Sequence, residues 1–272
     1  MKRLPAVLIF AIILAACATN PVTGRRQFII VPESEAIAAS KEVYVQMLGP
    51  LEKEGKIDMD PALKARIAKI TGRLVAQAIR FRPETAQWDW QVKVIDDPKT
   101  VNAFCMAGGR MAVYTGLILQ IKPTDAELAE VMGHEIAHAL SNHIAEKMSV
   151  AMVSNVAVAT LGVAQQNQAL LQGAALAAAV AVQLPNSRTQ EAEADRIGIE
   201  LAAKAGYDPH AAVTLWQKMA KLGNGGTPEF LSTHPAPEDR MKNLQALVPK
   251  MMPYYEKGGP HPVHEVQEGL QQ

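Results

Sequence analysis

Apolar residues recur with helical spacing along most of this chain, and this periodicity defines its predicted elements. Two helix starts carry clear caps: Asp60 stands before Pro61 as an N-cap, and Thr124 stands three residues before Glu127 in a capping box. Helices are predicted over 33–54, Asp60 to about Arg82, Thr124 to about Met148, 188–205, Asp208 to about Leu222, and from Pro237 onward. The chain is therefore predicted to be mainly helical.

The pattern changes to alternating apolar and polar residues shortly before Thr124. Alternation over 88–94 predicts one strand. The apolar runs 101–106 and 110–114 flank a Gly-Gly turn and predict a hairpin. The fold class that follows is α+β, mainly helical, with a small β-sheet or hairpin beside the helix that begins at Thr124.

A long stretch over 148–187 contains no charged residue and is rich in Ala, Val and Leu. We interpret it as an apolar helical insertion of two packed helices. A transmembrane hairpin is the alternative, which the polar break at 165–168 and the weakly apolar alanines disfavour.

The N-terminus has the pattern of an export signal. Lys2 and Arg3 precede an apolar run over 4–16, which predicts a signal peptide over 1–16. The run ends as LAAC at Cys17 and resembles the bacterial lipobox, in which the cysteine is lipidated; an ordinary secretory signal is the alternative. Lipidation of Cys17 would anchor the chain to a membrane. Ala18, which is not aspartate, indicates the outer membrane of a Gram-negative cell, with the protein facing the periplasm.

The mature chain is predicted to consist of a lipid-anchored tether over 17–32, one domain over 33–250 and a C-terminal tail over 251–272. Its 27 basic residues balance its 27 acidic ones, so no net field favours nucleic acid as a partner. Lipidation of Cys17 leaves Cys105 without an intrachain disulfide partner, and we expect Cys105 to be a buried apolar residue.

The run HEIAH supplies the candidate chemistry. His134 and His138 are four residues apart, so both imidazoles lie on one face of a helix and can bind one zinc ion. Glu135 flanks that face and can take a proton from a zinc-activated water. Because HExxH also arises by chance, the motif alone does not establish a hydrolase.

A catalytic zinc ion usually takes a third protein ligand. His143 lies nine residues after His134, about 180° round a continuous helix, so we expect it to face away from the metal in a solvent-facing or capping role. Glu191 is the better candidate, with Asp195 on the same helix face to support a ligand imidazole. Glu193 points about 200° away from Glu191, which argues against it as a ligand.

Two alternatives to a Glu191 ligand exist. An ordinary acidic helix face beside Arg188 and Arg196 would have the same spacing. A metzincin site would need glycine and histidine where Ser141 and Ile144 stand, so that class is excluded.

Three ordered segments carry a resemblance. HEIAH, then SRTQEAEAD from Ser187 to Asp195, then STHP around His234 followed by Arg240, resemble the gluzincin family of the CAAX prenyl protease and the HtpX membrane protease. The lipobox makes the chain similar to the LoiP-like lipoprotein branch. This resemblance implies a zincin-like metallopeptidase domain.

The resemblance also implies roles for individual residues. It implies one Zn²⁺ per chain, bound by the residues proposed above, His134, His138 and Glu191, with Glu135 as general base. It implies that His234 stabilises the oxyanion or caps the metal, and that Arg240 orients the site or pairs with an acid. It further implies that Asn102 and Ala103 belong to an edge strand that binds substrate backbone.

The function predicted is a zinc-dependent endopeptidase of the bacterial cell envelope that cleaves unfolded or misassembled outer-membrane proteins. One rival is a non-proteolytic zinc-binding lipoprotein that acts as a chaperone in envelope protein assembly. Another is a latent protease with His234 as a fourth ligand. A third rival treats 148–187 as membrane-spanning, which would make the chain an integral-membrane enzyme.

Overall fold

The computed structural model describes residues 17–160, 184–222, 229–235 and 239–270. The described helices are α1 (Glu33–Lys53), α2 (Pro61–Phe81), α3 (Thr115–Ile121), α4 (Asp125–Leu140), α5 (His143–Thr160), α6 (Arg188–Lys204), α7 (His210–Leu222), α8 (Glu229–Thr233) and α9 (Arg240–Glu256), with a 3-10 helix over Pro83–Gln87. The described strands are β1 (Cys17–Thr19), β2 (Arg26–Phe28), β3 (Gln91–Ile95), β4 (Ala103–Cys105) and β5 (Arg110–Tyr114). The predicted fold class, mainly helical with a small sheet, is confirmed.

Local capping chemistry sets the helix starts that the sequence predicted. The Asp60 carboxylate accepts hydrogen bonds from the N–H groups of Ala62 and Leu63 at the start of α2. Thr124 and Glu127 form the capping box of α4, each side chain bonding the other's backbone N–H. These bonds satisfy backbone donors that the first helical turn leaves without a partner.

The helix predicted from Thr124 to about Met148 is two helices, which corrects the sequence prediction. α4 ends at Leu140, and α5 begins at His143. Between them Asn142 has a left-handed φ of 55°, a conformation that asparagine tolerates better than most residues. The hydrophobic spacing continues across this break, so periodicity alone does not reveal it.

The main sheet has the order β3-β5-β4. β3 runs parallel to β5, and β4 pairs antiparallel with β5 as the predicted hairpin. The turn between β4 and β5 needs glycine, because Gly109 has a φ of 85° and a Cβ there would lie 2.6 Å from the Trp90 ring. β4 is an edge strand of this sheet and lies beside α4.

Residues 17–28, which the sequence predicted as part of a tether, form a hairpin packed on the domain. β1 and β2 pair antiparallel, and the Asn20 carboxamide accepts hydrogen bonds from the N–H groups of Val22 and Thr23 in the connecting turn. We call residues 17–28 the N-terminal hairpin. The predicted signal peptide, 1–16, lies outside the described residues.

The C-terminal region is more ordered than the tail that the sequence predicted over 251–272. α9 continues through Pro249 and Pro253 to Glu256. The chain then runs along α2 and β3: the N–H of His264 donates to the Gly72 carbonyl, and the N–H of Gln267 donates to the Trp90 carbonyl.

The apolar segment over 148–187 is described only at its ends. α5 extends to Thr160, and residues 161–183 lie outside the described residues, as does most of the predicted pair of packed helices. Among the helices that the structure describes, none combines the length and the apolar character that crossing a membrane requires.

The two helices α4 and α6 make the most extensive helix contact among the described elements, and their backbones touch. A Cβ on Gly133 would lie 2.9 Å from the Gly198 carbonyl oxygen, and a Cβ on Gly198 would lie 2.8 Å from the His134 nitrogen. Only glycine permits this approach at both positions. The spacing between α4 and α6 is therefore fixed beside His134.

Candidate metal centre and active site

Helices α4 and α6 bring three of the predicted ligands together. His134 and His138 stand one turn apart on α4, and their Nε2 atoms are 3.1 Å apart. Glu191, in the first turn of α6, is fully buried and lies 3.4 Å from His134 Nε2 and 3.3 Å from His138 Nε2. The tight contact of α4 with α6 places these side chains opposite one another.

A fourth donor comes from the segment that follows α8. His234 Nδ1 lies 3.2 Å from His134 Nε2 and 3.0 Å from Glu191 Oε1. Phe230, one turn earlier, stacks on the His234 ring with centroids 4.6 Å apart. The aromatic contact holds His234 over the other three donors.

These four donors fit a zinc ion. Ligand atoms of His134, His138, Glu191 and His234 all lie within 4.8 Å of one another. A tetrahedral zinc ion with bonds of about 2.0–2.1 Å separates its ligand atoms by about 3.4 Å, close to the distances found here. Imidazole nitrogen and carboxylate oxygen are also the ligands that catalytic zinc prefers.

His134 is oriented by charged side chains. Its Nδ1 lies 3.0 Å from Asp195 Oδ1, on the turn of α6 that follows Glu191. Arg240, the first residue of α9, donates to Asp195 at 2.5 Å and to Glu191 at 3.0 Å, while its guanidinium lies 3.7 Å from the Trp216 ring centroid. The predicted supporting roles of Asp195 and Arg240 thus have a geometric basis.

His138 is oriented by a different set of residues. Its Nδ1 lies 2.8 Å from Nδ1 of His143, whose Nε2 lies 3.0 Å from Glu193 Oε2. The expected solvent-facing role of His143 is wrong, because this side chain is fully buried. The break at Asn142 turns His143 back toward His138, so an angle calculated along a continuous helix does not apply.

The charges at this centre favour a cation. Burial alone would raise the pKa of Glu191, but the facing His134 and its hydrogen bonds hold that pKa well below its usual range. Although burial opposes it, Glu191 together with Asp195 raises the pKa of His134 to about 9. The negative environment that retains a proton on His134 would equally retain a divalent metal ion.

Glu135 lies on the face of α4 that borders the centre. Its Oε1 is 3.4 Å from His234 Nε2, and among the described residues this oxygen has no hydrogen-bond donor. Burial raises the pKa of Glu135 above its usual range. A buried carboxylate with a free oxygen beside a metal site has the properties of a general base.

Glu135 faces a small cavity of about 40 Å³. The lining includes side chains from β4, α4, α5 and the segments around α6 and α8, among them Phe104, Glu135, Lys147, Asn186 and Thr233. The chemistry of HExxH sites needs room for water and a peptide carbonyl here, and this space adjoins both Glu135 and His234.

Asn186 was not identified from the sequence, yet it lies in the centre. Its Nδ2 donates to Glu191 Oε1 at 2.8 Å and lies 3.1 Å from His234 Nδ1. The side chain is buried, and among the described residues its Oδ1 has no hydrogen-bond partner. Its position immediately before the N-cap Ser187 of the ligand helix is the signal that could have found it.

Asn102 and Ala103 lie at the edge of the sheet, as the sequence predicted for a substrate-binding strand. The Asn102 carboxamide accepts from the Ala103 N–H at 2.9 Å and donates to Glu229 at 3.3 Å. Cys105, on the same strand, is buried, and burial raises the pKa of its thiol well above the usual range. Cys105 therefore has the apolar role that the sequence predicted.

The helix with HExxH, the glutamate on a second helix and the supporting Asp195 define a zinc metallopeptidase domain of the zincin type. A model of peptidase family M48 matches residues 61–248, and the chain belongs to this family. The predictions of a zinc metalloendopeptidase domain and of one zinc ion as cofactor are thereby confirmed.

Named relatives include mitochondrial and bacterial proteases. The chain is 41% identical to mitochondrial metalloendopeptidase OMA1 of Arabidopsis thaliana over 155 residues, 57% of this chain and 31% of that protein. It is 30% identical to OMA1 of Saccharomyces cerevisiae over 252 residues, 87% of this chain and 70% of that protein. It is 29% identical to a putative β-barrel assembly-enhancing protease of Vibrio cholerae over 262 residues, 89% of this chain and 52% of that protein.

The chain spans about a third of the length of the Arabidopsis protein and about half of the Vibrio protein. The resemblance found in the sequence is confirmed at the level of peptidase family M48, and its finer placement beside HtpX, the CAAX prenyl protease or LoiP stays a prediction.

Proposed function

We propose that this protein is a zinc-dependent endopeptidase of the bacterial cell envelope that hydrolyses unfolded or misassembled outer-membrane proteins. The observation that carries the proposal is the set of four facing donors with Glu135 and a cavity directly beside it. The name of the Vibrio cholerae relative, a putative β-barrel assembly-enhancing protease, supports the substrate class.

His134, His138 and Glu191 would hold the zinc ion, which when bound supplies a Lewis acid that polarises a peptide carbonyl and acidifies water. Glu135 accepts a proton from the attacking water as the new C–O bond forms. Glu135 then gives that proton to the leaving nitrogen as the C–N bond breaks, so no net proton is gained or lost.

The two ring nitrogens of His234 face different groups in this site. Its Nδ1 completes the four donors, and its Nε2 lies 3.4 Å from Glu135. We propose that His234 restrains the substrate-free protein by filling the fourth position, and that substrate displaces it. The displaced ring then donates an N–H to the oxyanion.

Strand β4 would bind the substrate backbone. The Ala103 N–H faces the Asn102 carboxamide, away from the ladder with β5. A peptide that replaces this local hydrogen bond would add as a further strand at the edge of the sheet. Recognition through the backbone suits extended chains of varied sequence, as unfolded envelope proteins are.

Membrane attachment would come from lipidation of Cys17. The LAAC sequence that ends there supports an outer-membrane lipoprotein facing the periplasm, and Cys17 stands at the start of the N-terminal hairpin. A Cys17→Ser protein should appear in the soluble periplasmic fraction. Recovery of that variant only with detergent would contradict the lipid anchor.

The deciding experiment measures zinc stoichiometry and the degradation of an unfolded, fluorescently labelled protein. Wild type should bind one zinc ion and cleave the substrate. Glu135→Gln should bind one zinc ion and cleave at least about 100-fold more slowly. A Glu135→Gln protein that holds zinc and degrades substrate at the wild-type rate would contradict the mechanism.

His234→Ala separates restraint from assistance. If His234 mainly restrains the site, this variant cleaves faster than wild type; if the oxyanion contact dominates, it cleaves more slowly with zinc still bound. One bound zinc ion with no cleavage by wild type or His234→Ala would favour the alternative function, a zinc-binding lipoprotein that acts as a chaperone.

A further inference from the structure

The ligand His138 has a hydrogen-bonding partner on the side opposite the metal donors. Its Nε2 faces His134 and Glu191, whereas its Nδ1 lies 2.8 Å from Nδ1 of His143. Both rings are buried, and their centroids are 4.9 Å apart at an angle of 67°. Two ring nitrogens this close share one proton, so the tautomer of one ring determines that of the other.

The direction of these hydrogen bonds follows from metal binding. An imidazole that ligates through Nε2 keeps its proton on Nδ1, so His138 donates to His143. His143 then carries its own proton on Nε2 and donates to Glu193 Oε2 at 3.0 Å. Two hydrogen bonds in series therefore fix the tautomer and the ring plane of His138.

The N-terminal hairpin holds Glu193 in place. Thr23 Oγ1 donates to Glu193 Oε1 at 2.6 Å, and Arg25 Nε lies 3.0 Å from both carboxylate oxygens. The remaining nitrogens of Arg25 bind Glu146 on α5 at 2.9 and 2.7 Å. Arg25 thus joins α6 to the helix that begins with His143.

The same hairpin also contacts the end of the ligand helix. Gln27 Nε2 donates to the Ser141 carbonyl at 2.9 Å, and Asn20 Nδ2 donates to that carbonyl at 3.3 Å. Ser141 is the C-cap of α4, one turn after His138. The hairpin is therefore bound both to the helix that carries His138 and to the helix that carries Glu193.

We propose that His143 and Glu193 are positioning residues for the metal ligand His138, and that the N-terminal hairpin supports the metal site by holding Glu193. The proposal concerns zinc affinity. It can therefore fail or succeed independently of the envelope substrate proposed above.

The first test measures the zinc dissociation constant of the full chain by competition with a chelator. His143→Ala and Glu193→Ala should bind zinc about 10- to 100-fold more weakly than wild type. Glu193→Gln keeps an acceptor for the His143 N–H and should retain an intermediate affinity. Arg66→Ala is the matched control, because Arg66 pairs with Asp125 at 2.7 Å at the opposite end of α4; its zinc affinity should equal that of wild type.

The second test distinguishes positioning from general stabilisation. Cobalt(II) in place of zinc reports the ligand geometry through its visible absorption bands. His143→Ala should change the positions or intensities of these bands, and Arg66→Ala should not. Identical cobalt spectra and zinc affinities in wild type, His143→Ala and Glu193→Ala would overturn the proposal, as would an equal loss of affinity in Arg66→Ala.

The hairpin itself is tested by Arg25→Ala, which leaves both α4 and α6 unaltered. Zinc affinity should fall about 3- to 10-fold, which is less than for Glu193→Ala, because Glu193 contacts His143 directly. If His143→Ala is recovered only unfolded, Glu193→Gln and Arg25→Ala decide the question, since each keeps the buried imidazole. Wild-type zinc affinity in both would overturn the proposal.

Discussion

The two ligand histidines of one helix are supported in opposite ways. His134 faces the Asp195 carboxylate, and this carboxylate also accepts a hydrogen bond from the Arg240 guanidinium. All three side chains are almost fully buried. His138 faces a neutral imidazole, and charge enters only at Glu193, whose partner Arg25 has a quarter of its side chain exposed.

This difference shows how one metal site combines a local and a distant support. The His134 support depends on one contact between α4 and α6, with Arg240 added from α9. The His138 support runs from α5 through α6 to the N-terminal hairpin, over segments up to 170 residues apart in sequence. Asp195 and Arg240 thus hold His134 from within the site, whereas His143 and Glu193 connect His138 to the N-terminal hairpin.

The largest expected effect comes from removing the arginine on the charged side. Arg240→Ala removes the guanidinium that bonds two buried carboxylates, Glu191 and Asp195. The free energy of unfolding of the metal-free protein should fall by about 3–5 kcal/mol. Arg25→Ala, on the neutral side, should cost about 1 kcal/mol because its ion pairs are partly exposed. Urea unfolding in the presence of a chelator measures both, and equal losses would contradict the comparison.

A smaller effect is expected from separating α4 and α6. Gly198→Ala places a Cβ 2.8 Å from the His134 nitrogen, so the helices must shift, at a cost of about 1–3 kcal/mol. Gly49→Ala in α1 is the control, since no atom lies within 4 Å of its added Cβ and alanine should stabilise this helix by up to about 1 kcal/mol. Thermal melts of the metal-free proteins should change in opposite directions. A stabilised Gly198→Ala protein would show that the contact does not set the helix spacing.

The smallest expected effect is the pH dependence of the Glu193 contribution. Burial alone would raise the pKa of Glu193, but hydrogen bonds from His143, Arg25 and Thr23 lower it from 4.5 to about 2. A lowered folded-state pKa stabilises the protein above pH 4.5, and this contribution is lost as the pH falls from 4.5 toward 2.

Wild type should therefore be more stable than Glu193→Gln by roughly 1 kcal/mol at pH 7, after allowance for solvent screening. The difference should shrink at pH 3, as measured by urea unfolding of the metal-free proteins. Glu35→Gln, on an exposed position of α1, controls for the amide substitution itself. A difference between wild type and Glu193→Gln that stays constant from pH 7 to pH 3 would exclude the ionised carboxylate as its source.

The sequence was informative wherever a short local pattern determines the structure. The Thr124 capping box, the proline at the start of α2 and the Gly-Gly hairpin give elements close to those observed. The same holds for the candidate ligands, because HExxH and ExxxD are helical spacings. Each of these patterns needs only a few neighbouring residues.

The sequence failed where a local break or a distant contact decides the structure. The sequence prediction for His143 assumes that α4 continues past Asn142, whose left-handed φ ends the helical geometry. The one local signal for Asn186 is its position before the N-cap Ser187, which is too common among helices to single this residue out. The N-terminal hairpin contacts Glu193 and Glu146 through Arg25, and no sequence pattern around Arg25 reveals these distant partners.

The backbone contact between Gly133 and Gly198 bears on when the protein acquires its metal. Many small zinc domains fold only as they bind zinc, because the ion itself brings their ligands together. Here α4 and α6 pack through their own backbones, a contact that does not involve the metal-ligating side chains. The protein can therefore fold first and bind zinc afterwards. The timing of activation would then follow the zinc available where the finished chain resides.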